Sequence, residues 1–243
     1  MLVTIKRNNQ LLNFDLTAPI DISIPLTDNE EQLNCFYAPK LSITPFRSGN
    51  FIGSIKTGSP VNFMNIQINP HGNGTHTECL SHISDSNLTI NQALKQFHFL
   101  ADLITIDVSK SGKIEKQKLK ECNLQNEVLI IRTLPNNPSK LKRNYSGTNP
   151  PYITPEAMDF IVQKGIQHLI VDLPSVDPEE DDGKLLAHRK FWLYPDNPRN
   201  NCTITELVYI PNHINDGVYL LNFQIISLEM DASPSKIVLY KPF

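Results

Sequence analysis

Three of the seven histidines lie close together in the sequence, at positions 71, 76 and 82. Glu78 stands two residues after His76, so both side chains point to the same side if this segment is extended. Imidazole and carboxylate together form a donor set that Zn²⁺ or Mn²⁺ accepts, whereas Ca²⁺ prefers more oxygen ligands. The alternative is a polar surface loop in which His71, His76 and His82 only form hydrogen bonds. The segment therefore predicts either a divalent-metal site or a hydrogen-bonded loop.

Most of the elements that would position this cluster are strands. Runs rich in β-branched and aromatic residues are the strand candidates, and they are Ile20 to Leu26, Val61 to Ile68, Leu103 to Val108, Val128 to Thr133, Leu169 to Asp172, Val218 to Ile226 and Ile237 to Tyr240. The run Val61 to Ile68 ends just before the histidine cluster. Its apolar residues alternate at Met64, Ile66 and Ile68, which predicts a half-buried strand.

Two helices have clear signals. The Thr154-Pro155-Glu156 sequence supplies an N-cap hydroxyl, a proline at the first helical position and an acidic first turn, and Gly165 is suited to the C-terminal cap. The second helix is predicted over Ile90 to Phe97. Strands outnumber helices, so we expect residues 1–243 to form one α/β domain. The proline-rich stretch from 134 to 152 is predicted to be a loop near the site.

Composition argues against nucleic-acid and membrane partners. The net charge is −3, and the densest basic cluster, Lys140, Lys142 and Arg143, predicts a solvated loop. The chain contains no apolar stretch of the length that spans a bilayer, and residues 1–12 lack the apolar run of a signal peptide. The four cysteines form no CxxC pair and predict reduced, mostly buried thiols. We therefore expect a cytoplasmic protein.

The order of motifs resembles the cyclase family of metal-dependent hydrolases, which includes bacterial kynurenine formamidase and isatin hydrolase. Gly74-Thr75-His76-x-Glu78-x-x-x-His82 is similar to the family signature HxGTHxDxPxH. Further segments match in the correct order, and they are Asp21 to Leu26, Val128 to Thr133, Gly165 to Pro178, the pair His188 and Glu206, and Ser233-Pro234. The resemblance therefore extends along nearly the whole chain.

The resemblance implies a fold and a set of site residues. The implied fold is a swivelling β/β/α domain with a mixed sheet and few helices. The implied metal ligands, for one or two ions with Zn²⁺ favoured over Mn²⁺, are His71, His76, Glu78, His188 and Glu206. His82 is implied to be the general acid/base, and Ser175 and Asp177 would support the site from a neighbouring loop. Family members commonly form dimers or tetramers, so a homo-oligomer is expected.

Several positions depart from the family pattern. The first histidine of the signature falls on Gly72, and His71 stands one residue earlier, so a glycine-flanked bulge would have to return His71 to the metal. Otherwise His71 would lie outside the ligand shell. Glu78 replaces an aspartate, Leu80 replaces a proline, and the interval between His188 and Glu206 is longer than usual.

Other candidates have plainer explanations. Cys79 neighbours the proposed ligands but points the other way in an extended segment, so we expect a buried thiol. The acidic run from Glu179 to Asp182 predicts a solvated turn. His98, His168 and His213 are expected to be structural or exposed. Core packing is the first interpretation of Phe191, Trp192 and Tyr194, and an aromatic wall for a planar substrate is the second.

The predicted activity is hydrolysis of a small amide or formamide, such as an aryl formamide, by a metal-activated water. His82 would take and return the proton, because histidine titrates near neutral pH. Two alternatives remain open. One is the opening of a cyclic imide or lactone, and the other is a metal-binding scaffold of the same fold without turnover.

Overall fold

The computed structural model describes residues 1–7 and 10–243 of the chain. Its strands, in chain order, are β1 (Leu2–Arg7), β2 (Gln10–Asp15), β3 (Ile20–Asp21), β4 (Ser42–Pro45), β5 (Arg47–Ser48), β6 (Phe51–Ile52), β7 (Met64–Gln67), β8 (His76–Glu78), β9 (His98–Asp107), β10 (Lys113–Ile114), β11 (Val128–Leu134), β12 (Tyr152–Ile153), β13 (His168–Val171), β14 (Thr203–Glu206), β15 (Gly217–Ile225) and β16 (Ala232–Tyr240). The helices are α1 (Pro70–Asn73), α2 (Ile90–Ala93), α3 (Lys116–Lys120), α4 (Pro155–Gln163) and α5 (Leu186–Trp192), with short 3-10 turns at Ile55–Thr57, Leu80–His82 and Pro138–Leu141.

Seven of these strands close into a barrel. Their order is β15-β9-β11-β13-β14-β8-β16, and β16 pairs back to β15, while β3 extends the sheet from β16. Strands β9, β11, β13 and β14 run parallel to one another, and the other pairings are antiparallel. The predicted mixed sheet with few helices is confirmed.

Alternate residues of the barrel strands contribute to two apolar cores. On β11, Val128 and Ile130 belong to the core inside the barrel, whereas Leu129 and Ile131 pack outside, with residues of α3, α4 and α5. This division follows from the two-residue repeat of a strand, which sends successive side chains to opposite faces. Both faces of β11 are buried, so its first four residues, 128–131, are all apolar instead of alternating with polar residues.

Helix α4 forms as its sequence predicts. The Thr154 hydroxyl accepts a hydrogen bond from the backbone N–H of Ala157, Pro155 occupies the first helical position, and Gly165 ends the helix region with a φ of +79°. The second predicted helix is shorter than expected. Helix α2 ends at Ala93, and Phe97, which was predicted to end the helix, is 40% exposed.

The run Val61 to Ile68 does not form a half-buried strand. Only Met64–Gln67 is a strand, and all four of its residues are exposed, including Ile66 at 65%. It pairs with β4 alone, outside the barrel, so no second layer covers its apolar side chains among the described residues. The predicted strand Ile20 to Leu26 is likewise reduced to Ile20–Asp21.

The basic cluster is not uniformly solvated. Lys140 is only 6% exposed, and its Nζ lies 2.7 Å from Asp172 Oδ2 and 3.0 Å from the carbonyl of Thr133. Lys142 is exposed, as predicted, and pairs with Glu31 at the surface. The expectation of a fully solvated loop was wrong for Lys140. The buried carboxylate of Asp172, directly after β13, pairs with its ammonium group and keeps it inside the protein.

The four cysteines are unpaired thiols, and Cys79 is fully buried as expected. Within the described residues, none of the helices has the length and apolar character needed to cross a membrane.

Candidate metal and catalytic centre

His71 reaches the site from a single helical turn, not from the predicted β-bulge. The turn is α1, and Asn69 caps it by accepting a hydrogen bond from the N–H of Gly72 at 3.1 Å. A Cβ at Gly72 would lie only 2.2 Å from the Cβ of Ala38, so no side chain fits at this position. The helical turn thus carries the imidazole one residue before the glycine and points it at Glu78.

The short strand β8 presents two site residues on one face. His76 pairs with Glu206 across the antiparallel β8–β14 ladder, and Glu78 follows two residues later on the same side. Thr77 points to the other face, where its hydroxyl lies 2.8 Å from that of Thr205. The extended geometry that the sequence predicted for His76 and Glu78 is therefore present.

His188 is held at the start of α5 by Asp177. The Asp177 carboxylate accepts hydrogen bonds from the N–H groups of Ala187 and His188 and lies 2.6 Å from His188 Nδ1. Leu185, directly before the helix, has a φ of +47°, an uncommon conformation for leucine that turns the chain into α5. The other ring nitrogen of His188 is thereby directed towards Glu78.

All the predicted ligands converge on the Glu78 carboxylate or on its neighbour Glu206. His188 Nε2 lies 3.1 Å from Glu78 Oε1, and His71 Nδ1 lies 3.2 Å from Glu78 Oε2. Glu206 Oε2 lies 3.5 Å from His76 Nε2, and Glu206 Oε1 accepts a hydrogen bond from the N–H of Val176. Residues from four separate parts of the chain thus surround one small volume.

The pKa values of the Glu78 and Glu206 carboxyl groups are shifted in opposite directions. Burial favours the neutral form of both, but the imidazoles of His82, His188 and His71 outweigh this effect at Glu78 and lower its pKa well below the usual value. The pKa of Glu206 is raised, first by burial and then by the negative charge of Glu78. Glu78 is therefore the ionised carboxylate of the pair.

The imidazoles divide in a similar way. Burial lowers the pKa of His188, but its contacts with Asp177 and Glu78 reverse the effect and raise the value to about 10. Burial also lowers the pKa of His71, but its contacts with Asp231 and Glu78 outweigh this effect and raise the value to about 10. Burial and the nearby His71 lower the pKa of His76 to about 3, so His76 is neutral and keeps a free lone pair.

Among the described residues, three buried side-chain polar atoms have no hydrogen-bond partner; one is Asn136 Oδ1, and the other two face each other across this volume. These two are His76 Nε2 and Glu78 Oε2, which lie 4.0 Å apart. A buried polar atom without a partner costs free energy, and native proteins rarely leave one without a reason. An imidazole nitrogen and a carboxylate oxygen are suitable ligands for Zn²⁺ or Mn²⁺. The residues present therefore fit a divalent cation.

Ligand atoms of three residues lie within 4.8 Å of one another in three overlapping groups: His71, His76 and Glu78; Glu78, His82 and His188; and His71, His82 and Asp231. Glu78 belongs to the first two groups, so it is placed to join two neighbouring positions.

Asp231 is a site residue that the sequence did not reveal. Its Oδ2 lies 2.9 Å from His71 Nε2 and 3.4 Å from His82 Nδ1, and these contacts hold its pKa well below the usual value. Its one sequence signal is its position two residues before Ser233-Pro234. An isolated aspartate in that position has no pattern of its own.

A cavity of about 610 Å³ opens over the centre. His71, His82 and His188 line one part of it, and Phe36 and Tyr37 line another. The two aromatic residues also have positive φ values, 57° and 53°. No sequence pattern selects Phe36 or Tyr37, because they lie in a segment without regular structure.

Phe191 and Trp192 belong to the core and not to this cavity. Both are fully buried, and the Trp192 indole N–H donates to the carbonyl of Cys202 at 2.8 Å. The core interpretation of these residues is confirmed. Trp192 still supports the site, because its ring stacks on His188 with centroids 5.7 Å apart.

The acidic run from Glu179 to Asp182 forms a turn. Asp181 accepts hydrogen bonds from the N–H groups of Gly183 and Leu185, and Glu179 accepts from Gly147 and Asn149. These carboxylates fix loops at the edge of the cavity.

Comparisons with known proteins show the family and the fold of the chain. The Cyclase family model matches residues 14–178. Kynurenine formamidase from Bacillus anthracis is 29% identical over 222 residues, covering 90% of this chain and 96% of that protein. Among solved structures, isatin hydrolase A from Labrenzia aggregata has a TM-score of 0.66 at 13% identity, covering 92% of this chain and 93% of that one. A protein described as a predicted metal-dependent hydrolase from Bacillus stearothermophilus has a TM-score of 0.65 at 15% identity, covering 92% and 98%.

Proposed function

Because this chain belongs to the Cyclase family, we propose that it is a metal-dependent hydrolase that cleaves the C–N bond of a small amide, in particular an aryl formamide. The observation that carries the proposal is the pair of buried, unpartnered ligand atoms, His76 Nε2 and Glu78 Oε2. A hydrogen-bonded surface loop, the alternative for this segment, would not bury them.

The proposed ligands are those that meet at the Glu78 carboxylate and at Glu206, namely His71, His76, Glu78, His188 and Glu206. Zn²⁺ is proposed first and Mn²⁺ second, in one or two positions. When bound, such an ion supplies a Lewis acid that polarises the substrate carbonyl and makes water more acidic.

His82 is proposed to move the proton. Its side chain is 29% exposed and lines the cavity, so it can contact both the substrate and solvent. Its Nε2 lies 3.7 Å from Glu78 Oε2, on the side of the proposed ligands. From there the nitrogen can take a proton from the attacking water and deliver it to the leaving amine.

A small aromatic amide suits the cavity. Its volume of about 610 Å³ is within the range of small-molecule sites, and the Phe36 and Tyr37 rings can pack on a planar ring. The relative from Bacillus anthracis, named a kynurenine formamidase, supports the choice of an aryl formamide. The same residues could open a cyclic imide or lactone, so both classes belong in the assay.

Elemental analysis of the purified protein, together with assays on formanilides, cyclic imides and lactones, tests the proposal. We expect bound Zn or Mn and turnover of the formanilides. Bound metal without turnover of any substrate would favour the non-catalytic scaffold, and the absence of metal at saturating Zn²⁺ would contradict the proposal outright.

The His82→Ala variant separates the roles of the imidazoles. We expect it to retain the metal and to lose about 10²- to 10⁴-fold in kcat, the usual contribution of a general acid/base. The exposed His98, at the start of β9, provides a matched control, and His98→Ala should change neither quantity. Loss of metal in His82→Ala would assign His82 to the ligands, in the group with Glu78 and His188.

The proposal also includes a cytoplasmic homo-oligomer, a dimer or tetramer. The four unpaired thiols are consistent with a reducing compartment. Light scattering coupled to size-exclusion chromatography would measure the oligomeric state.

A further inference from the structure

We propose that Asp231 is a positioning residue that fixes the tautomers of His71 and His82 through one shared carboxylate oxygen. The proposal rests on the proposed function, because it assigns His71 to the metal ligands and His82 to proton transfer. Asp231 itself precedes β16, and its carbonyl accepts a hydrogen bond from the N–H of Cys79 at 3.0 Å. This backbone contact fixes the carboxylate relative to β8, which carries His76 and Glu78.

The contacts of the two rings define which nitrogen faces which group. In His71, Nε2 lies 2.9 Å from Asp231 Oδ2 and Nδ1 lies 3.2 Å from Glu78 Oε2. In His82 the order is reversed, since Nδ1 lies 3.4 Å from Asp231 Oδ2 and Nε2 lies 3.7 Å from Glu78 Oε2. The rings stack with centroids 4.2 Å apart and an interplanar angle of 27°.

An ionised carboxylate can only accept hydrogen bonds, whereas a neutral imidazole has one N–H and one lone pair. A cation on the Glu78 side of His71 displaces any proton from Nδ1, and the proton-accepting form of His82 is neutral, so each ring then directs its single N–H at Asp231. The lone pairs remain on His71 Nδ1 and His82 Nε2, the two nitrogens on the Glu78 side. A carboxylate behind an imidazole ligand in this way fixes its orientation and increases its basicity.

The shared oxygen links two different tasks. His71 needs its lone pair to bind a cation, and His82 needs its lone pair to accept a proton. With Asp231 in place, neither ring can turn over without losing its hydrogen bond. A single carboxylate thus prepares the ligand and the general base together.

Asparagine in place of Asp231 keeps the shape but replaces one oxygen by an amide N–H₂ donor. A ring that faces this donor must present a lone pair to it, and its N–H then moves to the nitrogen on the Glu78 side. We expect Asp231→Asn to raise the zinc dissociation constant about 10- to 100-fold, the usual effect of losing such a carboxylate. We expect kcat for a formanilide to fall by about 100-fold, with KM changed less than about threefold, because the cavity lining is intact.

The direct readout is the tautomer. In zinc-loaded protein labelled with ¹⁵N-histidine, long-range ¹H–¹⁵N spectra should show His82 protonated at Nδ1 in the unaltered chain and not in Asp231→Asn. Asp231→Glu should restore zinc affinity and kcat in part, because it keeps a carboxylate acceptor. Glu229→Gln is the matched control, since this exposed carboxylate in the same loop pairs with Thr89 and Asn91 outside the site.

The outcomes are distinct. If the unaltered chain neither binds zinc nor hydrolyses an amide, the proposed function fails. If it does both and Asp231→Asn keeps zinc affinity, kcat and the Nδ1 proton of His82, the role of Asp231 fails alone. If Asp231→Asn and Asp231→Glu both fail to bind zinc at saturation while keeping the thermal midpoint of the metal-free protein, Asp231 is a ligand and the positioning role is overturned.

Discussion

Two buried histidines lie near opposite ends of the same pair of parallel strands, β13 and β14. His168 begins β13 beside Thr203, and its Nδ1 lies 2.8 Å from the Thr203 hydroxyl. His188 lies near Glu206, the last residue of β14, and contacts Asp177 and Glu78. We name these regions the His168 end and the site end. Burial lowers the pKa of His168 to about 4, whereas the carboxylates raise that of His188 to about 10.

The difference lies in the neighbours and not in the degree of burial. His168 is 4% exposed and His188 is 2% exposed. The neighbours of His168 include Phe99 and Phe223, with ring centroids 4.6 and 5.6 Å away. Removal from water therefore leaves it neutral. At the site end, Asp177, Glu78 and Glu206 keep the proton on His188, and two of these carboxylates, Glu78 and Glu206, are also proposed ligands of the cation.

The largest contrast is expected in activity. His188→Gln should weaken zinc binding by about 100-fold or more and reduce kcat at least as much, because a proposed ligand and its link to Asp177 are both lost. His168→Gln should leave both within about twofold, since glutamine can still bond to Thr203. Zinc titration and formanilide assays on the pair measure the contrast. Comparable losses of zinc affinity and kcat in the two variants would contradict the contrast between the two ends.

A second contrast is expected in stability. Lys140 and Asp172 form a buried pair at the site end, where β13 has just ended. Lys140→Met should lower the free energy of unfolding by about 3–5 kcal/mol, because it leaves the Asp172 carboxylate buried without its counter-charge. Urea denaturation measures this change.

The matched control for Lys140→Met is two residues away. Lys142 pairs with Glu31 at the surface, with side chains 65% and 71% exposed, so Lys142→Met should cost less than about 1 kcal/mol. Adding Asp172→Asn to Lys140→Met should recover part of the loss by removing the uncompensated charge. Equal effects of the two lysine variants would show that the buried charges at the site end do not depend on their partners.

The sequence predicted most of the site end, because its residues have distinctive types in a distinctive order. His76 and Glu78 share a face through a two-residue spacing, which is local information. His188 and Glu206 were selected only through the resemblance, because they stand where the cyclase family has a distal histidine and glutamate. Asp231, Phe36 and Tyr37 were missed, because each is brought in by tertiary packing and has no local pattern.

The fold was predicted less evenly. The run Val128 to Thr133 predicted β11 to within one residue of its end, since the four consecutive apolar residues 128–131 suit a strand that is buried on both faces. The run Val61 to Ile68 has an equally apolar pattern, yet β7 is exposed. Alternation predicts a strand and its apolar face but contains no information on whether another element covers that face. Lys140 shows the same limit for charge, because its burial depends on Asp172, 32 residues later.

The smallest expected effect is the pH dependence of stability at the His168 end. An unfolded histidine titrates near pH 6.5, whereas His168 in the folded protein titrates at about pH 4. Between these values the unfolded chain binds a proton that the folded chain does not, so the free energy of unfolding falls as the pH drops from about 6.5 to about 4. The contribution reaches about 3 kcal/mol at the low end, because the pKa of His168 is about 6.5 in the unfolded chain and about 4 in the folded protein. The difference between the unaltered chain and His168→Gln, measured by urea denaturation with a chelator present, isolates the contribution of His168.

The raised pKa values of His71 and His188 act in the opposite sense and at higher pH, because the stability that they give is lost between about pH 6.5 and pH 10. Parallel stability curves for the two proteins from pH 7 to pH 4 would mean that His168 is protonated in the folded state, and the contrast between the two ends would then rest on the ligands alone.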